Sequence, residues 1–302
     1  MQWPIFRSAG QIILAGNPAC ASGAAAAPHL LGYHVSVHIP SARLSLPLFL
    51  IPVLLLLFIP QNPPPPAIPS PFTFDHAAVV RGDLQQKRIA LIFTGGDYGE
   101  GSSPILDSLR DLHIKAGFFV TGAFLSHPDL RQLLQRAVRE GHYVGPHSDQ
   151  HPLYCPWEDR EKSLISKTEF TKDLQKNISD LKQLGALSSG STYFIPPYEW
   201  FNRDQVDWAR EIGVQLFNFS PGSGSNRDYL PESDPRFISS QAILRDILAY
   251  EKKDPHGLNG YILLIHLGAD RKDKMFQLLP QLITDLRTRG YTFIRIDQML
   301  QP

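Results

Sequence analysis

Short apolar runs that alternate with longer amphipathic stretches are the feature that most restricts the fold of this chain. The first run, Arg88–Thr94, precedes a helical pattern over Ser103–His113. Near-continuous apolar runs such as ALIF and YILLI fit strands buried on both faces of a parallel sheet, and such sheets need helical crossovers. The same pattern predicts six more strands at Ala116–Thr121, His142–Pro146, Thr192–Pro196, Val214–Phe219, Tyr261–His266 and Tyr291–Ile296. We therefore expect an α/β fold, a seven-stranded (β/α) barrel that is TIM-barrel-like.

The amino-terminal quarter differs in composition from the rest. Its first acidic residue is Asp75, and residues 44–59 form an apolar run of the length of a signal peptide's hydrophobic region, short for a spanning helix. We predict a targeting or anchor-like segment over residues 1–60, with an over-extended gene start left open, then a proline-rich linker over residues 61–74 and one domain over residues 75–302. The expected location is exported, periplasmic or extracellular, with membrane anchoring through residues 44–59 as an open alternative.

Charge and cysteine content exclude several classes of protein. The chain has 29 basic and 29 acidic residues, so no overall field favours nucleic acid. Cys20 and Cys155 are too few for a disulfide framework and lack the paired spacing of a structural zinc site.

Ionisable side chains follow three of the predicted strands. Asp97 comes after the first strand, His147 and His151 follow the third, and His266 ends the sixth. In α/β barrels the chemistry gathers at the carboxyl ends of the strands. Two histidines four residues apart can bind one metal ion, although buried structural histidines remain an alternative at this point.

A rigid aromatic turn follows the fourth predicted strand. The sequence YFIPPYEW contains two prolines, which restrict the backbone and present Tyr198, Glu199 and Trp200 at the same end of the barrel. Aromatic residues there suit a sugar-binding platform, and they also suit ordinary packing.

These features, in this order, resemble the polysaccharide deacetylases, a carbohydrate esterase family with a distorted, incomplete β/α barrel. The H-[ST]-x-x-H motif of that family reads His147-Ser148-Asp149-Gln150-His151 here. Its groove motif corresponds to Ile195-Pro196-Pro197-Tyr198, and its late L-x-H motif to Leu264-Ile265-His266. The resemblance spans Lys87 to about Leu300.

The resemblance implies a metal-dependent site. One divalent ion, zinc first with cobalt, nickel or manganese as alternatives, would be held by Asp97, His147 and His151. His266 would be the general acid, and Pro197, Tyr198 and Trp200 would line the substrate groove.

The first family motif, T-F-D-D-G, is altered. The aligned residues are Ile92-Phe93-Thr94-Gly95-Gly96, so the usual base position is Thr94, a variant form that resembles Bacteroidetes-type members. Ile195 stands at the position where the family motif has an arginine. Asn218-Phe219-Ser220-Pro221 replaces the family's stretch that polarises the catalytic histidine. Glu199 is favoured as the replacement base, with Glu100 as the alternative.

Three functions remain open at this level. The first is a metal-dependent hydrolase that removes acetyl groups from N- or O-acetylated sugars of a polysaccharide or oligosaccharide. The second is a catalytically silent carbohydrate-binding homologue, and the third is a metal-dependent hydrolase of another amide or ester. No nucleic-acid partner is expected, and the oligomeric state is not predicted.

Overall fold

The computed structural model describes residues 71–187 and 191–301, which belong to one compact unit spanning Pro69–Pro302. The predicted targeting segment and nearly all of the predicted linker lie outside the described residues. Among the described residues, no helix is both long and apolar enough to cross a bilayer.

The main sheet is parallel and centred on β3 (Arg88–Gly95). Strand β3 pairs with β4 (Gly117–Val120) and β8 (Tyr261–His266), and β4 pairs with β5 (Tyr143–Pro146). The last strand, β9 (Thr292–Ile294), pairs with the first residues of β3. These strands carry the apolar runs of the sequence, so the predicted parallel arrangement is confirmed.

A second parallel sheet holds β6 (Thr192–Phe194) and β7 (Val214–Leu216). All seven predicted strands are therefore present, but these two are shorter than predicted. Strand β6 ends before Pro196 because proline has no N–H to donate to a ladder.

A hairpin that the periodicity did not predict lies beside β7. It consists of β1 (Thr73–Asp75), whose first two residues fall in the predicted linker, and β2 (Ala78–Arg81). Strand β2 forms a parallel bridge from Val79 to Phe217, and the Ser220 hydroxyl donates to the Val80 carbonyl at 2.6 Å. On the other side, the Gly82 N–H donates to the Gly260 carbonyl at 2.7 Å. The hairpin therefore bridges β7 and the start of β8, where the two sheets are not paired.

The helices cover the outside of the main sheet. Alternate residues of β3 face opposite ways: Ile89, Leu91 and Phe93 pack in the core formed with the helices, whereas Ala90 and Ile92 pack in the barrel interior. The helices are α1 (Ser102–Asp111), α2 (Gly122–Ser126), α3 (Pro128–Arg139), α4 (Lys167–Gln183), α5 (Arg203–Glu211), α6 (Ser240–Lys253), α7 (Leu279–Thr288) and α8 (Ile296–Met299), with 3-10 turns at Pro197–Glu199 and Met275–Leu278.

The register of the main sheet brings the predicted chemical residues to one edge. Thr94 lies opposite His266, Gly95 lies opposite Val120, and Val120 lies opposite Pro146. The loops after β3, β5 and β8 therefore leave the barrel at the same level, where their side chains can meet.

Candidate active site

His147 and His151 face each other at the carboxyl end of β5. Their Nε2 atoms are 3.3 Å apart, and their ring centroids are 4.9 Å apart. The Nδ1–H group of His147 donates to the Ile195 carbonyl at 2.9 Å, which leaves Nε2 as the free nitrogen of the neutral ring. Burial lowers the pKa of His147 well below its usual value, and burial lowers the pKa of His151 to about 4. Both rings are therefore neutral near pH 7, which is the form that binds metal.

Helix α4 fixes the loop that carries this histidine pair. The carboxylate of Asp173 accepts hydrogen bonds from the Ser148 hydroxyl at 2.6 Å and from the Gln150 N–H at 2.8 Å. The side-chain oxygen of Asn177 accepts from the His147 N–H at 3.0 Å. Ser148 and His151 have positive φ angles of 75° and 52°, so the loop needs these contacts to hold its shape.

The proline turn after β6 directs Glu199 inward and Tyr198 outward. Tyr198 and Glu199 both have left-handed backbone conformations, with φ angles of 56° and 52°, respectively. The side chain of Glu199 is 12% exposed, and its Oε1 atom lies 4.0 Å from Nε2 of His147. Burial raises the pKa of Glu199 to about 7. The side-chain amide of Asn218 donates to the Glu199 carbonyl at 2.8 Å and anchors the turn.

His266 has a carboxylate partner that the sequence analysis missed. Its Nδ1–H group donates to Oδ1 of Asp228 at 2.7 Å, and its backbone N–H donates to Oδ2 at 3.1 Å. Burial alone would lower the pKa of His266, but the charge and hydrogen bond of Asp228 raise it above its usual value. The expectation that this partner had been lost with Asn218–Pro221 is therefore wrong. Asp228 comes instead from the loop after β7.

Neither carboxylate of the loop after β3 lies within 4.0 Å of a ring nitrogen of the histidine pair. Asp97 is exposed, and its charge raises the pKa of His151 against the effect of burial. Glu100, the alternative base, accepts from the Ala269 N–H at 3.1 Å and pairs with Lys274. Glu100 therefore ties this loop to the loop after β8, and the assignment of Asp97 as a metal ligand stays a prediction.

Aromatic side chains border the histidine pair on one side. The ring of Tyr198 lies 4.4 Å from that of His151 and is 43% exposed. The Trp157 ring lies 5.9 Å from that of Tyr198 and 5.7 Å from that of Trp200. Trp200 also contacts the Arg160 guanidinium at 4.5 Å, whereas Pro197 is buried. Of the predicted groove residues, Tyr198 has the largest exposed surface beside the site.

Comparison with known proteins identifies the family. Residues 81–217 match the family model described as polysaccharide deacetylase. An uncharacterised 30.6 kDa protein of Geobacillus stearothermophilus is 30% identical over 74% of this chain and 75% of its own length. The chain belongs to the polysaccharide deacetylase family.

One characterised relative within this family is much longer than the shared region. The peptidoglycan-N-acetylglucosamine deacetylase of Listeria monocytogenes is 30% identical over 70% of this chain, but the match covers only 39% of that protein.

Solved structures of the polysaccharide deacetylase family share the fold. The family 4 carbohydrate esterase PdaA of Bacillus subtilis is 24% identical, with a TM-score of 0.57 over 74% of this chain and 85% of that one. A family 4 pseudoenzyme from Bacillus anthracis is 20% identical, with the same TM-score of 0.57 over 76% and 70% of the two chains. At these identities the likeness shows the fold alone.

Gly95 stands at the second aspartate position of the family motif T-F-D-D-G, and a side chain there would collide with its neighbours. A Cβ atom at this position would lie 2.7 Å from the Phe124 ring and 2.9 Å from Leu267. The first aspartate of the motif falls on Thr94, whose buried hydroxyl has no hydrogen-bond partner among the described residues. A carboxylate for this site must therefore come from another position.

The histidine pair fits a divalent ion. Two nitrogens bound tetrahedrally at the usual zinc–nitrogen distance are about 3.3 Å apart, and the observed Nε2 separation is 3.3 Å. The hydrogen bond from His147 to a backbone carbonyl is the outer contact that metal-binding histidines normally make. Within residues 71–187 and 191–301, no three His, Cys, Asp or Glu side chains are already grouped at ligand distances. The spacing of His147 and His151 therefore fits two ligands of one ion, and among the described residues no third ligand is in place beside them.

Proposed function

We propose that this protein is a metal-dependent polysaccharide deacetylase that hydrolyses acetyl groups on N- or O-acetylated sugars. The observation that carries the proposal is that two groups of residues, the histidine pair and Asp228 with His266, lie at the same edge of the barrel. Neutral His147 and His151 meet at 3.3 Å, and the buried Asp228–His266 pair lies close enough for His266 to affect the pKa of both rings. Family membership supports the same reaction class.

The residues divide the work of hydrolysis between them. His147 and His151 would hold the ion, which when bound polarises the acetyl carbonyl and lowers the pKa of water. His266, protonated on both ring nitrogens, would donate its Nε2 proton to the leaving amine or alkoxide, and Asp228 would orient the ring and stabilise its positive charge through the Nδ1–H group. Tyr198 would contact the sugar beside the histidine pair. The role of Glu199 as the base stays a prediction.

A catalytically silent carbohydrate-binding protein is the second candidate, because Thr94 stands at the usual base position. One solved structure with the same fold is a pseudoenzyme, so this fold also occurs in proteins without the activity. In that case the groove would bind sugar without releasing acetate.

One assay separates the two functions. The purified full chain is incubated with acetylated chitooligosaccharide, acetylated xylan or peptidoglycan fragments, with chelator or with added zinc or cobalt, and acetate is measured. We expect release that depends on the ion and is lost in His147→Ala. Binding of these sugars without release of acetate would favour the silent protein.

The expected exported location is tested by fractionating cells that produce the full chain.

A further inference from the structure

The carboxylate of Glu199 accepts no hydrogen bond from the described residues, and its side chain is only 12% exposed. Its Oε1 atom approaches Nε2 of His147 to 4.0 Å, which is too long for a hydrogen bond. Against the effect of burial, the charge of His266 favours the ionised form of this carboxylate. A mostly buried carboxylate without a donor at hydrogen-bond distance is costly, and a positive ion beside His147 would stabilise it.

The backbone is built to hold Glu199 in this place. Two consecutive left-handed residues, Tyr198 and Glu199, cost of the order of 1 kcal/mol each or more. The turn is held by the Glu199 N–H, which donates to the Pro196 carbonyl at 3.0 Å, and by Asn218, which donates to the Glu199 carbonyl at 2.8 Å. A turn of this kind persists where the surrounding contacts fix it, and here its result is that the carboxylate points toward His147.

Glu199 is better placed than Asp97 to complete the ligand set. Among the described residues, Glu199 is the one carboxylate within 4.0 Å of a nitrogen of either histidine ring. Asp97 is exposed, and a side chain at Gly95 would collide with Phe124 and Leu267. A carboxylate oxygen and an imidazole nitrogen on one zinc ion are about 3.4 Å apart, so the Oε1 atom of Glu199, at 4.0 Å from Nε2 of His147, is about 0.6 Å farther from that nitrogen than a ligand would be.

We propose that Glu199, together with His147 and His151, binds the active-site cation of this protein. The inference rests on the proposed function and specifies which carboxylate the variant site uses. The ligand order along the chain would then be His, His, Glu, with the carboxylate on the turn after β6 instead of the loop after β3. Glu199 would be a ligand in place of the base that the sequence analysis predicted.

The test compares Glu199→Gln with Asp97→Asn, which is the matched change of acid to amide at the competing position. The affinity of each full-length variant for Zn²⁺ is measured by competition with a chromophoric chelator, and the visible spectrum of the Co²⁺ form is recorded. We expect Glu199→Gln to weaken Zn²⁺ binding at least about a hundredfold, because changes in outer contacts alone cost 10- to 100-fold, and to change the Co²⁺ spectrum. Asp97→Asn should stay within about threefold of the parent.

The outcomes separate this inference from the proposed function. A Glu199→Gln protein that binds Zn²⁺ like the parent but releases no acetate would make Glu199 the base, and the inference would fail while the function stands. A large loss of affinity in Asp97→Asn alone would also overturn it. If the parent chain neither binds Zn²⁺ nor releases acetate, the proposed function itself fails. Circular dichroism and the melting temperature of each metal-free variant show whether the fold is retained, and Glu199→Asp provides a second variant if the amide unfolds.

Discussion

Asp228 is the single residue that most changes the interpretation of the site. It is 3% exposed in its side chain and binds both Nδ1 and the backbone N–H of His266. His266, the proposed general acid, therefore has a carboxylate partner, although the family's usual stretch is replaced. A homologue that had simply lost its catalytic residues would not need to bury an aspartate against this histidine.

We expect Asp228→Asn to reduce acetate release by about 10²- to 10⁴-fold, the usual contribution of a positioned acid. Asp228 raises the pKa of His266, so its removal should lower that pKa, and the alkaline limb of the rate profile should move to lower pH. The measurement is kcat against pH. Asp234→Asn in the same loop is the control, because its carboxylate pairs with Arg236 and not with the histidine. An unchanged alkaline limb in Asp228→Asn would contradict this role.

Helix α4 organises the site from outside the barrel. Three groups of the histidine loop donate to Asp173: the Ser148 hydroxyl and the N–H groups of Asp149 and Gln150. Asp173→Asn should loosen this loop and weaken Zn²⁺ binding by about 10- to 100-fold, as changes in outer contacts do. Asp180→Asn on the same helix is the control, since Asp180 pairs with Lys176 one turn earlier. Zn²⁺ competition measures both variants, and equal affinities would show that the loop holds its shape without Asp173.

The elements show which parts of the site could be predicted from sequence. Strand periodicity placed His147, His151 and His266 at strand ends, because buried parallel strands have a distinctive apolar pattern and their register fixes one edge. Asp228 lies in a loop without periodicity, so its approach to His266 depends on tertiary contacts alone. The polar residues of α4 gave no signal either, because an inward aspartate and a solvated one look the same along a helix. The β1–β2 hairpin was missed because β1 has three residues, none of them buried, and therefore gives no apolar run that marks a strand.

The barrel as a whole is held together where its two sheets are not paired. Strand β2 bridges this gap, and Arg81 at its end donates to the Asn259 carbonyl at 2.8 Å and the Gly257 carbonyl at 2.9 Å. The same guanidinium pairs with Asp254 at 3.3 Å, with side chains only 10% and 17% exposed. One residue thus joins the hairpin to the segment that leads into β8, the strand that ends in His266.

Arg81→Ala should lower the free energy of unfolding by about 3 kcal/mol, because it removes the donor of two carbonyls and the charge partner of Asp254, which keeps only its hydrogen bonds from the Tyr250 hydroxyl and the His256 N–H. Urea unfolding followed by circular dichroism measures the change. Arg110→Ala on α1 is the control, since that side chain is 55% exposed and its pairs with Asp107 and Asp111 are screened by solvent. The candidate site lies at the carboxyl ends of the strands, whereas Arg81 contacts the segment before β8. The fraction of the Arg81→Ala protein that remains folded should therefore bind Zn²⁺ with the parent's affinity. A loss of stability no larger than that of Arg110→Ala would mean that the strand pairing of the hairpin closes the barrel without this ion pair.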